Sequence, residues 1–218
     1  KGKCPAEVTV KEGTLGINDG AFSDQKKLQK VNLPDGLLWI NYAFNNCPNL
    51  TSVNIPDSVT RIESFAGCSK LSSIKLSAGM TRILSWSFER CTGLTEVTIP
   101  HGVEGIGYEA FLNCTSLKDV TIPASVTSID YMALGYREVR DDSDWGWSYE
   151  KIEGFTIRGY TGTEAQRYAE DNGFKFIPLD TEVILGDADG DGEITIMDAS
   201  NVQKFLSEMD SAIDEKTM

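Results

Sequence analysis

The chain has 218 residues, 40% of them apolar, with 33 acidic against 20 basic side chains and a net charge of −13. Negative charge in this excess repels phosphate backbones, which excludes nucleic acid as a partner. No apolar run approaches the roughly 20 residues of a membrane helix, so no membrane span is expected, and Lys1-Gly-Lys leads into polar sequence with no visible secretion leader.

The charge is unevenly placed. Ten acids and two lysines fall in residues 181–218, leaving 23 acids and 18 bases in residues 1–180. Such an acidic end points to cation binding or to a solvated tail. Ahead of it, residues 4–13, CPAEVTVKEG, are expected to cap one end of the body that follows.

From residue 15 onward one pattern returns. NCPNLTSVNIPDSVTRI, GCSKLSSIKLSAGMTRI, RCTGLTEVTIPHGVEGI and NCTSLKDVTIPASVTSI share the frame C-x-x-L-x-x-(V/I)-x-(I/L)-P-x-x-V-x-x-I-x-x-x-A-F. An earlier copy, DQKKLQKVNLPDGLLWI, has Gln25 at the cysteine position, and Ile17, Ile40, Ile62, Ile83, Ile106 and Ile129 recur at intervals of 21 to 23. Leu94, Val97 and Ile99 fall on one side of a short extended segment, while Thr98 points away. Pro100 ends the strand because it has no N–H for a ladder. Val103, Ile106, Ala110 and Phe111 return the chain over the core. One such coil cannot bury its own apolar side, but stacked copies can. The expected fold is therefore a right-handed repeat solenoid with parallel short strands ~4.7 Å apart.

Cys47, Cys68, Cys91 and Cys114 follow the same period. In a column at strand spacing they lie too far apart for disulfides, and they are read as buried small apolar residues. "INYAF" is one residue short and "IESF" two, so a tightened turn is expected there. This frame resembles the leucine-rich repeats of the bacterial surface-adhesin (BspA-like) type, whose units read F-x-x-C-x-x-L-x-x-I-x-I-P. The resemblance covers about residues 15–178. Residues 1–180 are accordingly read as one solenoid with caps.

The last unit departs from the frame. After Ala133-Leu134 the step to the strand leucine lengthens to eighteen residues, ending at Ile152, and the strand resumes as Ile152, Phe155 and Ile157. The insert REVRDDSDWGWSYEK carries Trp145, Trp147 and Tyr149 beside Asp141, Asp142 and Asp144. It is the leading candidate for partner contact, since loops on solenoids commonly carry function; the alternative is a cap shielding the last coil. TGTEAQRYAEDNGFKFIPL follows, with Ala165, Tyr168 and Ala169 at helical spacing and a Gly173 stop. It resembles the closing helix and strand of the same repeat family.

Two further rows are candidates. Asn32, Asn54, Lys75, Thr98, Thr121 and Thr156 form an outward polar ladder, suited to a protein-contact face or to plain solvation. Tyr42, Trp86, Tyr108 and Tyr131 follow the recurring isoleucine and could stack on sugars, fill protein hot spots, or pack locally. The single histidine, His101, is read as a solvated turn residue. No nucleophile–histidine constellation or phosphate-cradling glycine motif is present, so no enzyme is expected.

The tail holds a calcium-loop spacing. Asp187, Asp189 and Asp191 stand at loop positions 1, 3 and 5, Gly192 at 6, Glu193 at 7, Thr195 at 9 and Asp198 at 12. Alternate residues of a tight turn aim oxygens at one hard cation, Ca2+. Position 7 contributes its carbonyl, and position 9 often acts through water. Ala199, Val202, Phe205, Leu206 and Met209 then follow at helical spacing. An aspartate at position 12, no entering helix and the GDADGDG-x-I opening resemble a dockerin repeat. Dockerins bind cohesin domains on the scaffolding proteins of cellulosomes, the extracellular polysaccharide-degrading complexes of anaerobic bacteria, and carry two such repeats. Residues 181–218 correspond to the first. The resemblance places partner contacts at Ile196, Met197, Gln203 and Lys204, with contact to a second repeat as the other reading of Ile196 and Met197.

Together these features imply a secreted, non-catalytic binding or adhesion protein, extracellular and cellulosome-associated. A repeat surface takes a protein or glycan partner, and a dockerin tethers the chain to a cohesin. The alternative is a carbohydrate-active or protease-inhibiting component acting through the insert, residues 141–150.

Overall fold

The computed structural model describes residues 4–141 and 146–180. The chain divides into two units, Lys1–Leu179 and Asp180–Met218.

The first unit is a parallel-strand solenoid of about seven turns. Each coil contributes a front strand. The front ladder runs Glu7–Thr9, Lys30–Asn32, Ser52–Asn54, then Ser73–Lys75, Glu96–Thr98, Asp119–Thr121, Thr156–Gly159 and Lys175–Pro178, with parallel register throughout each segment. In Ser52–Asn54, Ser73–Lys75, Glu96–Thr98 and Asp119–Thr121 the central valine or isoleucine is buried and its neighbours are exposed. That is the alternation of a sheet wet on one side. Where the strand ends in proline, a tight turn closes: Val59 N–H donates to the Pro56 carbonyl at 3.0 Å, Val103 to Pro100 at 3.0 Å and Val126 to Pro123 at 3.1 Å. The P-x-x-V spacing is thus the spacing of a turn.

The return path is more regular than the sequence implies. The recurring isoleucines sit in a second parallel ladder, Gly16–Ile17, Trp39–Asn41 and Arg61–Glu63, continued by Arg82–Ile83, Gly105–Ile106 and Ser128–Ile129. Between the two ladders lies the core. Phe22, Phe44, Phe65, Phe88 and Phe111 stack with centroids 5.1 to 5.8 Å apart and planes within 13°. Each such pair adds about 0.5–1.5 kcal/mol beyond the area it buries.

Cys47, Cys68, Cys91 and Cys114 form the expected column, all free and buried. Each thiol donates to the phenylalanine carbonyl of an earlier coil: Cys47 to Phe22 at 3.0 Å, Cys68 to Phe44 at 3.2 Å, Cys91 to Phe65 and Cys114 to Phe88 at 3.1 Å. A small donor is what the position requires. Burial pushes the Cys68 thiol up to about 12 and that of Cys91 well above its ordinary value.

The shortened turns have a specific solution. Where the next coil has the full-length turn, the phenylalanine N–H donates to a backbone carbonyl of that coil: Phe65 to Ser87 at 2.8 Å, Phe88 to Ala110 and Phe111 to Ala133 at 2.9 Å. Phe44, whose next coil carries the short "IESF" turn, bonds differently. There the Ser64 hydroxyl accepts from both Ala43 and Phe44 N–H groups, at 2.8 and 3.0 Å.

The last coil corrects the frame read from sequence. Val120 pairs with Ile157 and Thr121 with Arg158. Ile152 therefore fills the cysteine position and Phe155 the leucine position, each donating through the same local bond: Phe155 N–H to the Ile152 carbonyl at 3.1 Å, Leu117 N–H to that of Cys114 at 3.0 Å. One residue is missing before the strand. Consequently Thr156 stands beside Asp119, and Arg158, not Thr156, ends the polar ladder. The closing helix spans Glu164–Asn172, ends at a left-handed Gly173 and buries Ala165, Tyr168 and Ala169.

Candidate binding surface

The insert is a hairpin, not a loop. Tyr136–Arg140 pairs antiparallel with Trp147–Lys151, from Tyr136 opposite Lys151 to Arg140 opposite Trp147. Ile152 N–H donates to the Gly135 carbonyl at 2.7 Å, so both ends of the excursion meet and the coil resumes beyond it. Gly135 has φ +80°, and a Cβ there would lie 2.7 Å from both Phe155 and Phe174.

The hairpin docks on preceding coils. Glu138 accepts from the Arg90 guanidinium at 2.7 Å and from the Asn113 amide at 3.0 Å, while its own N–H donates to Asn113 Oδ1 at 2.7 Å. The Asn113 N–H also donates to the Tyr136 carbonyl at 2.9 Å. The hairpin thereby continues a backbone ladder already formed by Asn46, Gly67 and Arg90, whose N–H groups donate to Ala66, Glu89 and Leu112.

This docking joins two sequence candidates into one surface. Trp86 meets Tyr108 edge to face at 5.7 Å, and Tyr108 stacks on Tyr131 at 6.4 Å. At their centre is Glu109, only 6% exposed. Trp86 Nε1 donates to its Oε2 at 3.0 Å and the Tyr149 hydroxyl to its Oε1 at 3.2 Å. A hydrogen bond to Glu109, followed by burial, pushes the Tyr108 phenol up to about 12. Trp86, Tyr131, Trp147 and Tyr149 remain 46, 65, 55 and 41% exposed. Large aromatic rings held in place yet exposed form a surface patch rather than part of the core. Charge surrounds it: Arg90 contacts Glu89 at 3.3 Å as well as Glu138, and burial raises the Glu89 carboxyl against the opposing pull of Arg90. Arg140 lies 5.8 Å over the Trp147 ring.

Tyr42 is not part of this patch. The short coil places Glu63 between it and Trp86, and a hydrogen bond to Glu63 raises the Tyr42 phenol. Glu109 carried no distinctive signal in the sequence, since its place is taken by Tyr42, Trp86 and Met132 in other copies and by another acid, Glu63, in the short one. His101 is exposed in its turn, as expected. Trp145 lies outside the described residues. So do the calcium-loop set Asp187, Asp189, Asp191, Glu193, Thr195 and Asp198 and the contact set Ile196, Met197, Gln203 and Lys204. Among the described residues no group of three His, Cys, Asp or Glu could hold a metal ion, and no helix is long and apolar enough to cross a membrane.

Short parallel front strands, a return ladder and columns of leucine, phenylalanine and cysteine define a leucine-rich-repeat solenoid. Residues 16–139 match the BspA type leucine rich repeat region in six copies, more than half of the chain, and the chain belongs to that family. It is similar to a leucine rich cell surface protein from Faecalibacterium prausnitzii A2-165, with 32% identity over 58% of this chain and 32% of that one, at a TM-score of 0.49. A leucine-rich repeat protein from Bacteroides ovatus is 20% identical over 78% of this chain and 50% of its own, at 0.43. The pneumococcal vaccine antigen PcpA is 13% identical over 81% and 42%, at 0.44. This chain thus spans about a third of the Faecalibacterium protein's length. None of the curated proteins matches it significantly.

Proposed function

We propose that the chain is a non-catalytic binding or adhesion protein working outside the cell, with the Trp86–Tyr108–Tyr131 patch and the adjoining hairpin as its contact face. The observation that supports this most is Glu109 receiving Trp86 and Tyr149 from two different parts of the chain. Preorganised aromatic anchors lose little side-chain entropy on binding, and such residues dominate interface energetics. The test is adsorption of the purified chain to intact bacterial cells and to panels of extracellular proteins and polysaccharides. Trp86→Ala and Tyr131→Ala remove exposed rings without touching the core, so each is expected to abolish the adsorption made through this face. Binding indifferent to both substitutions counts against this face.

The tail completes the proposal as a tether. Its carboxylate spacing supports calcium binding, and its resemblance to a dockerin repeat supports a cohesin partner on an extracellular scaffold. Titration calorimetry is expected to detect one calcium ion, lost on Asp187→Ala or Asp198→Ala. Calcium-dependent capture on a panel of cohesins, with a second such repeat appended, tests the tether. Absence of capture by every cohesin at saturating calcium rejects it while leaving the aromatic face untouched.

A further inference from the structure

We infer that the front strand face carries a second site, a cleft for a neutral oligosaccharide, separate from the aromatic patch. The outward columns of the last coils enclose a cavity of about 510 Å³, within the range of small-ligand sites. Glu96 and Asp119 stand in one column, Thr98 and Thr121 in the next, all lining the cleft. Strand geometry sets neighbours along a column ~4.8 Å apart and the two columns ~7 Å apart. The result is a fixed grid of two carboxylates and two hydroxyls. Past the strand ends Tyr160 and Leu179 form an exposed apolar wall, and His101 stands at the rim.

The electrostatics select the ligand. Asp119 is already held by Arg158, whose Nε donates at 2.7 Å. Lys75 lies beside Thr98 in the register, on the other flank. Arg158 offsets the Asp119 charge, which leaves Glu96 as the one uncompensated carboxylate of the lining with Lys75 on the flank, so a multiply charged ligand of either sign gains little net attraction. What the cleft offers is directional: carboxylate oxygens that accept from hydroxyls, and threonine hydroxyls that both donate and accept. Beside them a phenol ring and an aliphatic wall suit an apolar C–H surface. A neutral sugar ring presents that pairing, with hydroxyls around its edge and C–H groups on its faces. A basic or acidic peptide would instead need an unbalanced carboxylate or guanidinium row.

The experiment titrates the full chain with cellotetraose, xylotetraose and mannotetraose, at low and high salt, following 1H–15N NMR shifts. Trilysine and trigalacturonate serve as charged comparators. At least one neutral tetrasaccharide is expected to bind with an affinity insensitive to salt. Tyr160→Ala and Glu96→Gln should each weaken it about tenfold or more, a difference of roughly 1.4 kcal/mol. Thr98→Val, an isostere on an exposed strand position, should weaken it without changing the melting temperature. Trp86→Ala should leave it unchanged, which separates this site from the aromatic patch. The proposal is overturned if no neutral tetrasaccharide binds, if binding survives both Tyr160→Ala and Glu96→Gln, or if only a charged comparator binds in a salt-dependent way.

Discussion

The Ser64 hydroxyl accepts the Phe44 N–H at 3.0 Å, the bond that a backbone carbonyl supplies in the full-length coils. One side chain thus restores a ladder that a two-residue deletion would break. It is almost fully buried and also takes the Ala43 N–H. Ser64→Ala leaves two buried donors unmatched, so a loss of about 2–6 kcal/mol is expected in urea unfolding, at about 1–3 kcal/mol per orphaned group. A loss under about 0.5 kcal/mol would mean that the backbone closes the gap by itself.

Gly135 is the other point where the chain depends on one small residue. Its left-handed φ of +80° and the nearby Phe155 and Phe174 rings oppose any side chain. Gly135→Ala is expected to destabilise by about 2 kcal/mol or more, combining the left-handed penalty with overpacking. Circular dichroism melts provide the measurement. A near-neutral result would show that the hairpin base tolerates another backbone conformation.

The thiol column predicts an alkaline weakness. Unfolded thiols ionise near their ordinary value of 9.0, while burial holds Cys68 protonated up to about 12 and Cys91 well above 9.0. Between those values the unfolded state holds fewer protons than the folded one, so stability is intact below the unfolded value and falls as pH rises above it. Each fully buried thiol contributes a slope of about 1.4 kcal/mol per pH unit. Unfolding free energies measured from about pH 8 to about pH 10 should decline, and Cys91→Ala should flatten the decline while lowering stability at neutral pH. A profile as steep in Cys91→Ala as in the unaltered chain would assign the effect to other groups.

The solenoid was legible because stacking imposes one requirement on every copy. Leu28, Leu50, Leu71, Leu94 and Leu117 are all buried to within 1%, and a core shared between coils leaves no freedom at those positions. The cap helix was equally readable, since Ala165, Tyr168, Ala169 and Gly173 carry its face and stop. The frame slipped at Ile152 because Phe155 is apolar in either alignment, and only the pairing of Val120 with Ile157 decides between them. The left-handed positions before the column cysteines and before Gln25 left a partial trace: Asp24, Asn46, Gly67 and Asn113 are residues that tolerate positive φ, while Arg90 occupies the same conformation without such a preference. The contact face was half visible. Its rings were evident, but their convergence on Glu109 depends on a hairpin folding back through Glu138 onto Asn113 and Arg90, a long-range match that no local pattern encodes.

That convergence can be measured as a coupling free energy between Tyr149 and Glu109, using Tyr149→Phe, Glu109→Gln and the double variant in chemical denaturation. If the hairpin and the coil row form one surface, the two substitutions couple by about 1 kcal/mol or more, as a hydrogen bond to a charged acceptor should. Strict additivity, with coupling indistinguishable from zero, would mean that the hairpin stands apart from the aromatic row and that the shared contact face does not exist.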